Sequence, residues 1–375
     1  MAKIVVINVI EDGRFGGPQK RILNIAKTIN HKIETVVVCG SNNSNYFQSQ
    51  LKLNGIQVHC VDLALSSRGL FNNLKFLFFF IFDVVKLYLI FKKHNHDLIH
   101  ISGGALSFRS FIAAKFCRSK VVWHLNDTKQ PKIVLWVFSL LSRFSDAYIF
   151  ASDASKKFYS AFINEQKPSF ILYSPVSFVM DKRIQANNNN FSVGSVVNIN
   201  PNKVDHLLDL AVASHDMGFP LHFYIAGPVY ATQRNYFNQV QKRIKASGLS
   251  NITFLGPIKD IKAFHKSLNI YLCMSKYEAS PTALWEAMAS GLLVVSTPVG
   301  DAKKFIVPNS GFIFSFNEIP IIPKFLYNAC LDIDQFLDVR NNALITAKNN
   351  FSLEHIAEKY IKAYTTLSVG KHAYI

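Results

Sequence analysis

Short apolar runs alternate with helical stretches along the whole chain, and this alternation limits the fold more than any other feature of the sequence. Strand-like runs stand at 4–10, 34–39, 57–60, 98–102, 120–124, 147–151 and 169–173, with a helical stretch at 19–29 after the first. A polar break follows at 181–192, with asparagine at every position from 187 to 190, and the alternation resumes at 193–198, 221–226, 252–255, 270–274 and 292–296. Apolar strands separated by helices form parallel sheets that helices cover on both faces. The expected fold class is α/β, with two Rossmann-like doubly wound domains in tandem, 1–180 and 181–351. Ligands are expected in a cleft outside the carboxyl ends of the strands.

A length of 375 residues exceeds what one core usually supports, in keeping with two domains. Hydrophobic residues make up 49% and charged residues 17%, the balance of a globular chain rather than a disordered one. The formal charge is +17, and it is uneven: residues 1–180 hold 22 Lys and Arg against 10 Asp and Glu, the remainder 19 against 14. The first half is therefore expected to meet an anionic partner. Nucleic acid would suit the charge, but the sequence has no recognition helix, zinc knuckle or aromatic RNA-binding signature. Cys39, Cys60, Cys117, Cys273 and Cys330 are scattered, without a C-x-x-C pair or a His at ligand spacing, so a reducing compartment and no structural metal are expected. Lys3 precedes only a short apolar run that suits a first buried strand better than a signal peptide, and the expected location is cytoplasmic.

The segment 70–93 strings Phe, Leu, Ile and Tyr together with Lys75, Lys86, Lys92 and Lys93. Its longest uncharged run, 76–82, falls far short of the ~20 apolar residues of a spanning helix. Two readings stand: a partly buried helix, or an interfacial helix that offers aromatics and lysines to an anionic membrane surface.

Glu278 and Glu286 stand eight positions apart, with Ser280, Pro281, Thr282, Ala283 and Leu284 between them. Ser280 is a good N-cap and Pro281 suits a first helical position, so a helix is expected to run from there toward Ser290. Its unpaired N–H groups and positive dipole end attract phosphate, and two carboxylates beside them can accept hydroxyls. That combination suits a sugar nucleotide. Together with Glu286-Ala-Met-Ala-Ser-Gly291 and the buried run after it, the stretch resembles the E-x7-E signature of retaining, family 4-like (group 1) glycosyltransferases of the GT-B fold.

The resemblance implies two Rossmann-like domains facing a cleft and a closing helix, about 352–370, that crosses back to the first domain. It implies that Glu286 binds the ribose hydroxyls and that Glu278 and the N–H groups after it hold the donor sugar. The segment 196–203 resembles the family's Gly-Arg-Leu-x-Pro-x-Lys, which puts Lys203 on the diphosphate and Asn198 where many members carry Arg. The missing cation is either absent or supplied by a residue such as Lys276. Gly16 and Gly17, at the end of the first run, resemble the loop that borders donor phosphate and acceptor, and glycine there allows positive φ and close approach. Gly227 and Gly256 match places where the backbone bends around the nucleotide. His124, at a strand end, matches a family histidine that contacts the donor. Asn126 and Asp127 follow on the acceptor side, and Asp127 either orients His124, meets the acceptor or forms a turn. Asp332 and Asp334 spell the D-x-D metal motif of a different glycosyltransferase fold, but away from any strand end, and they read as a solvated face.

The expected function is transfer of a sugar from a UDP- or GDP-linked donor to a saccharide or lipid-linked acceptor with retention. No metal or other cofactor is expected, and the setting is bacterial cell-surface polysaccharide or glycolipid synthesis. The alternatives are a GT-B sugar-nucleotide epimerase and a non-catalytic sugar-nucleotide-binding subunit.

Overall fold

The computed structural model describes residues 3–64, 70–176, 191–306 and 309–368, those at 70–75 by backbone alone. Most of the polar break at 181–192 therefore lies outside the described residues. The chain divides into two compact units, Met1–Pro175 with Leu353–Ile375, and Val176–Ser352.

Unit 1 runs β1 (Ile4–Ile10), α1 (Gly17–Ile29), β2 (Ile33–Gly40), α2 (Asn45–Leu53), β3 (Gln57–Val61), α3 (Leu70–Lys93), β4 (Leu98–Ile101), α4 (Phe108–Phe116), β5 (Lys120–Leu125), α5 (Lys132–Ser142), β6 (Ala147–Phe150), α6 (Asp153–Tyr159) and β7 (Ser169–Ile171). The strands form one parallel sheet in the order β3-β2-β1-β4-β5-β6-β7. Val and Ile dominate β1 and β2 because both of their faces are covered, which removes the polar alternation of a half-exposed strand. One layer packs Trp123, Phe138 and Tyr159 against the sheet, and another packs Ile22, Phe47 and Leu51. Asn8 of β1 faces Val37 of β2 on one side and His100 of β4 on the other. The winding direction reverses between β1 and β4, so their carboxyl ends form the crevice where such sheets bind ligands.

Unit 2 runs β8 (Phe191–Val196), α7 (Pro201–Asp216), β9 (Leu221–Ala226), α8 (Arg234–Ala246), β10 (Ile252–Gly256), α9 (Ile261–Lys266), β11 (Ile270–Cys273), α10 (Thr282–Ala289), β12 (Leu293–Ser296), α11 (Ala302–Ile306), β13 (Phe312–Ile313), α12 (Ile322–Leu331) and α13 (Leu337–Phe351). Its parallel sheet has the order β10-β9-β8-β11-β12-β13, and here the winding reverses between β8 and β11. Asp332 and Asp334 are exposed in the turn between α12 and α13. The last helix, α14 (Leu353–Ser368), packs on α1 and β1 of unit 1 and buries Ile356, Tyr360, Ala363 and Tyr364. Among the described residues no helix is long and apolar enough to cross a membrane.

Candidate functional site

In unit 2 the chain leaves β8 through exposed Asn198 and enters α7 with Pro201 in its first turn, which places Lys203 above the reversal point. The chain leaving β11 brings Ser275 and Glu278 to the same place. Lys203 Nζ donates to Glu278 Oε1, which also accepts from Ser275 Oγ at 3.0 Å. The two charged side chains are 24% and 16% exposed, enough for a ligand to reach them. Asn202 fixes the approach: its amide donates to Tyr277 O and accepts from Tyr277 N–H, both at 3.0 Å, while its carbonyl accepts from Lys276 N–H at 2.9 Å. Lys276, the candidate for the cation missing at Asn198, is engaged by a carboxylate: its ammonium lies 2.6 Å from Asp205 Oδ2. Burial, with the charge of Glu278 second, pushes the Cys273 thiol up to about 11, so it stays neutral at the strand end.

The helix bearing Glu286 begins at Thr282, later than its capping signal suggests. Ser280 Oγ makes no cap bond and instead accepts from Trp285 Nε1 at 3.2 Å, because Trp285 is buried and needs an acceptor. Trp285 stacks on Phe351 at 4.6 Å and so anchors the loop before α10 to the end of α13. The anion-binding turn is also narrower than expected. Thr282 N–H is taken by Ser280 O and Leu284 N–H by Pro281 O, both at 2.9 Å, which leaves Ala283 N–H without an acceptor among the described residues. Leu284, expected among the donor contacts, is fully buried with its N–H occupied. Pro281 is buried, while Thr282, Ala283 and Glu286 are half-buried. Gly300 has φ +51, and a Cβ there would stand 2.5 Å from Ala279 O, so the loop carrying Glu278 rests directly on the turn after β12. Gly227, after β9, has φ +141 and abuts Val197 O, which holds the 197–200 segment down.

In unit 1 Gly16 has φ −152, an extended conformation open to any residue, and Gly17 is not at positive φ either. Their contribution is space: a Cβ on Gly17 would meet nothing within 4 Å. Gln19 Nε2 ties the turn to Asp12 O at 2.6 Å. Sequence reasoning missed Glu11, whose carboxylate accepts from Arg109 Nε at 3.0 Å and Ser110 Oγ at 2.8 Å, while Arg109 Nη1 reaches Asp83 at 2.8 Å. Buried carboxylates and arginine in separate elements leave no local sequence signal.

His124 lies deeper than its place near the strand end suggests. It does not project from the end of β5 but lies inside unit 1, fully buried, its ring parallel to that of His100 at 5.2 Å and its Nδ1 3.0 Å from His100 Nε2. Burial first, then the charges of Arg21 and His100, holds it well below the ordinary imidazole range, and burial holds His100 down to about 3. Asp127 does not orient it. That carboxylate accepts from Tyr159 Oη and, at 2.8 Å, from Gln130 Nε2, and burial raises its pKa. The strand-end group is Asn126, half-buried, accepting from Arg21 Nη1 at 2.9 Å and donating to Ser102 O at 3.0 Å.

Known proteins resemble this chain in two ways. The chain is 28% identical over 145 residues to the lipopolysaccharide core biosynthesis mannosyltransferase LpcC of Rhizobium leguminosarum bv. viciae, covering 38% of this chain and 41% of that one. It is 39% identical over 77 residues to the Vi polysaccharide biosynthesis protein VipC/TviE of Salmonella typhi, 20% of this chain and 13% of the relative. The chain thus spans less than half the length of either relative. In fold the likeness is complete: the Anabaena protein HepE in complex with UDP and glucose superposes with a TM-score of 0.80 at 20% identity, over 97% of this chain and 100% of that one. The two parallel sheets are those of a GT-B glycosyltransferase fold. Residues 179–320, which hold all six strands of unit 2 together with Lys203, Glu278 and Glu286, match the family Glycosyl transferases group 1, the one that the Glu278–Glu286 spacing resembled.

Proposed function

We propose that this chain is a glycosyltransferase that carries a sugar from a UDP- or GDP-linked donor to a saccharide or lipid-linked acceptor in bacterial lipopolysaccharide or surface polysaccharide synthesis, with retention and without a metal ion. The observation that carries this reading is the Lys203–Glu278 pair, seated with Ser275 at the reversal point of unit 2 and one short loop ahead of the helix that bears Glu286. Relatives named for polysaccharide and lipopolysaccharide synthesis support the setting.

Before donor binding, Glu278 neutralises Lys203. A diphosphate carries more charge and more acceptor oxygens than one carboxylate, so it takes over the ammonium and leaves Glu278 to accept sugar hydroxyls. Glu286 accepts the ribose hydroxyls. As the bond from sugar to phosphate breaks, charge grows on the departing diphosphate, and Lys203 with Ala283 N–H stabilises it in place without reorganising solvent. Retention then follows from attack on the face the phosphate leaves, a phosphate oxygen taking the proton of the acceptor hydroxyl. Asn126 and Asp127 serve the acceptor from unit 1, at the cytoplasmic face of a membrane, and Gly16 and Gly17 serve the donor.

A thermal-shift panel of UDP, GDP, ADP and their sugars tests the reading. One nucleotide family should raise the melting temperature, and Glu286→Ala should abolish that rise while melting as a folded protein. If no nucleotide shifts the wild-type chain, the proposal fails.

A further inference from the structure

Three buried polar side-chain atoms that lack a hydrogen-bond partner among the described residues belong to one neighbourhood of unit 1: Arg21 Nη2, His124 Nε2 and Tyr360 Oη. The rings of His124 and Tyr360 lie on His100 at 5.2 and 6.2 Å, and the charge of Arg21 acts on both residues. Their exposures are 4%, 0% and 1% for Arg21, His124 and Tyr360. Groups this deep normally have partners, since a buried donor without an acceptor is destabilising and an unpaired buried charge more so.

Arg109 shows how unit 1 treats a structural arginine: it is 2% exposed and contacts two carboxylates, Glu11 and Asp83. Arg21 contacts no carboxylate among the described residues and one neutral oxygen, Asn126 Oδ1, at 2.9 Å.

The hydrogen bonds also fix where the imidazole protons sit. Ser102 Oγ donates to Asn8 Oδ1 at 2.8 Å, which turns the Asn8 amide nitrogen toward His100 Nδ1 at 3.4 Å. Tyr364 Oη stands 2.6 Å from the same Nδ1. An amide nitrogen only donates, so His100 Nδ1 is the acceptor and its proton is on Nε2. That N–H points at His124 Nδ1, 3.0 Å away, which places the His124 proton on the unpartnered Nε2. Three elements, α1, β5 and α14, thus present two N–H donors and a phenol hydroxyl free to donate, none of them with a partner among the described residues.

We propose that Arg21 Nη2, His124 Nε2–H and Tyr360 Oη–H form an oxyanion site in unit 1 that takes a phosphate or carboxylate group of the acceptor. Assigning the anion to the acceptor rests on the glycosyltransferase reading; the site itself does not. Half-buried Asn126 borders it through its bond to Arg21, which lies one turn into the helix that Gly17 opens.

The test uses the full-length chain, Arg21→Met and Tyr360→Phe, the second of which removes only the unpartnered hydroxyl. Melting temperature and affinity are measured with inorganic phosphate, acetate, a hexose 6-phosphate and the neutral hexose, all on a Lys203→Ala background so that the diphosphate site does not contribute. Without anion Tyr360→Phe should melt no lower than its parent, because it loses only an unsatisfied hydroxyl, whereas Arg21→Met also gives up the bond to Asn126. With anion, Arg21→Met should lose the stabilisation and Tyr360→Phe should bind about tenfold more weakly. A response to phosphate but not acetate assigns a phosphorylated acceptor, and the converse an acidic sugar. Lower melting of Tyr360→Phe without anion, or anion responses equal to the parent's, would mean that the donors hold buried water and would overturn the site. If instead the wild-type chain ignores every nucleotide while these anion effects appear, the oxyanion site stands and the glycosyltransferase reading falls.

Discussion

At the scale of single residues, the site proposed in unit 2 rests on Lys203, paired with Glu278. Lys203→Ala should weaken nucleoside diphosphate binding about ten- to a hundredfold, the effect of losing one charged hydrogen bond, and calorimetric titration with UDP and GDP reads it directly. Retained affinity would take Lys203 out of the site. The imidazoles of unit 1 make a different prediction. Above pH 6.5 His100 is neutral folded or unfolded and adds no pH dependence. Below it the unfolded chain binds a proton that the folded chain refuses until about pH 3, so stability falls across that window as pH falls. His100→Asn should remove one proton from the slope, a tenfold difference in the folding equilibrium per pH unit between 6 and 5. Denaturant unfolding at pH 7.5, 6 and 5 checks it, and parallel slopes for the two proteins would show that His100 protonates freely. Residue types at the candidate site of unit 2 were legible because Glu278, Pro281, Glu286 and Lys203 stand in short segments. The partners of Arg109 and His100 were not, because they lie on strands and helices far apart in the chain.

At the scale of elements, periodicity located the strands well because fully covered parallel strands are continuous apolar runs. It missed β13, whose two residues are too few to carry a pattern. It also misplaced the start of α10, where tertiary demand overrode local capping: the indole of Trp285 takes the Ser280 hydroxyl that a cap would have used. This makes Trp285 a positioning residue for the loop between the two glutamates, held in turn by Phe351 of α13. Trp285→Phe keeps the stack and deletes the indole N–H. It should cost about 1 kcal/mol of stability and raise the donor KM with little change in kcat, measured by chemical denaturation and steady-state kinetics. An unchanged KM would separate the indole from donor binding.

At the scale of the whole molecule, the basic excess of the first half coincides with its exposed apolar surface. In α3 the side chains of Phe78, Ile81, Phe82, Val85 and Leu89 are 48–73% exposed and recur every three or four positions, opposite the buried Val84, Leu87 and Phe91. A helix apolar on both faces has a second apolar environment to meet. In α5 Ile133 and Trp136 are likewise exposed. Lys92 and Lys93 are exposed at the end of α3, but Lys86 is engaged by Asp83 at 3.1 Å and Asp62 O at 2.8 Å. The occupant proposed for this surface is an anionic bilayer, where each lysine near the surface contributes about 1 kcal/mol that salt screens. Co-sedimentation with vesicles containing anionic lipid should therefore be strong at low salt and weak at high salt. Lys92→Gln with Lys93→Gln should lower it, Lys86→Gln should not, and Phe78→Ser with Phe82→Ser should lower it at both salt concentrations, because burial of those rings is not screened. Retention of the wild-type chain in the supernatant at low salt would remove the membrane from the mechanism and favour a soluble acceptor.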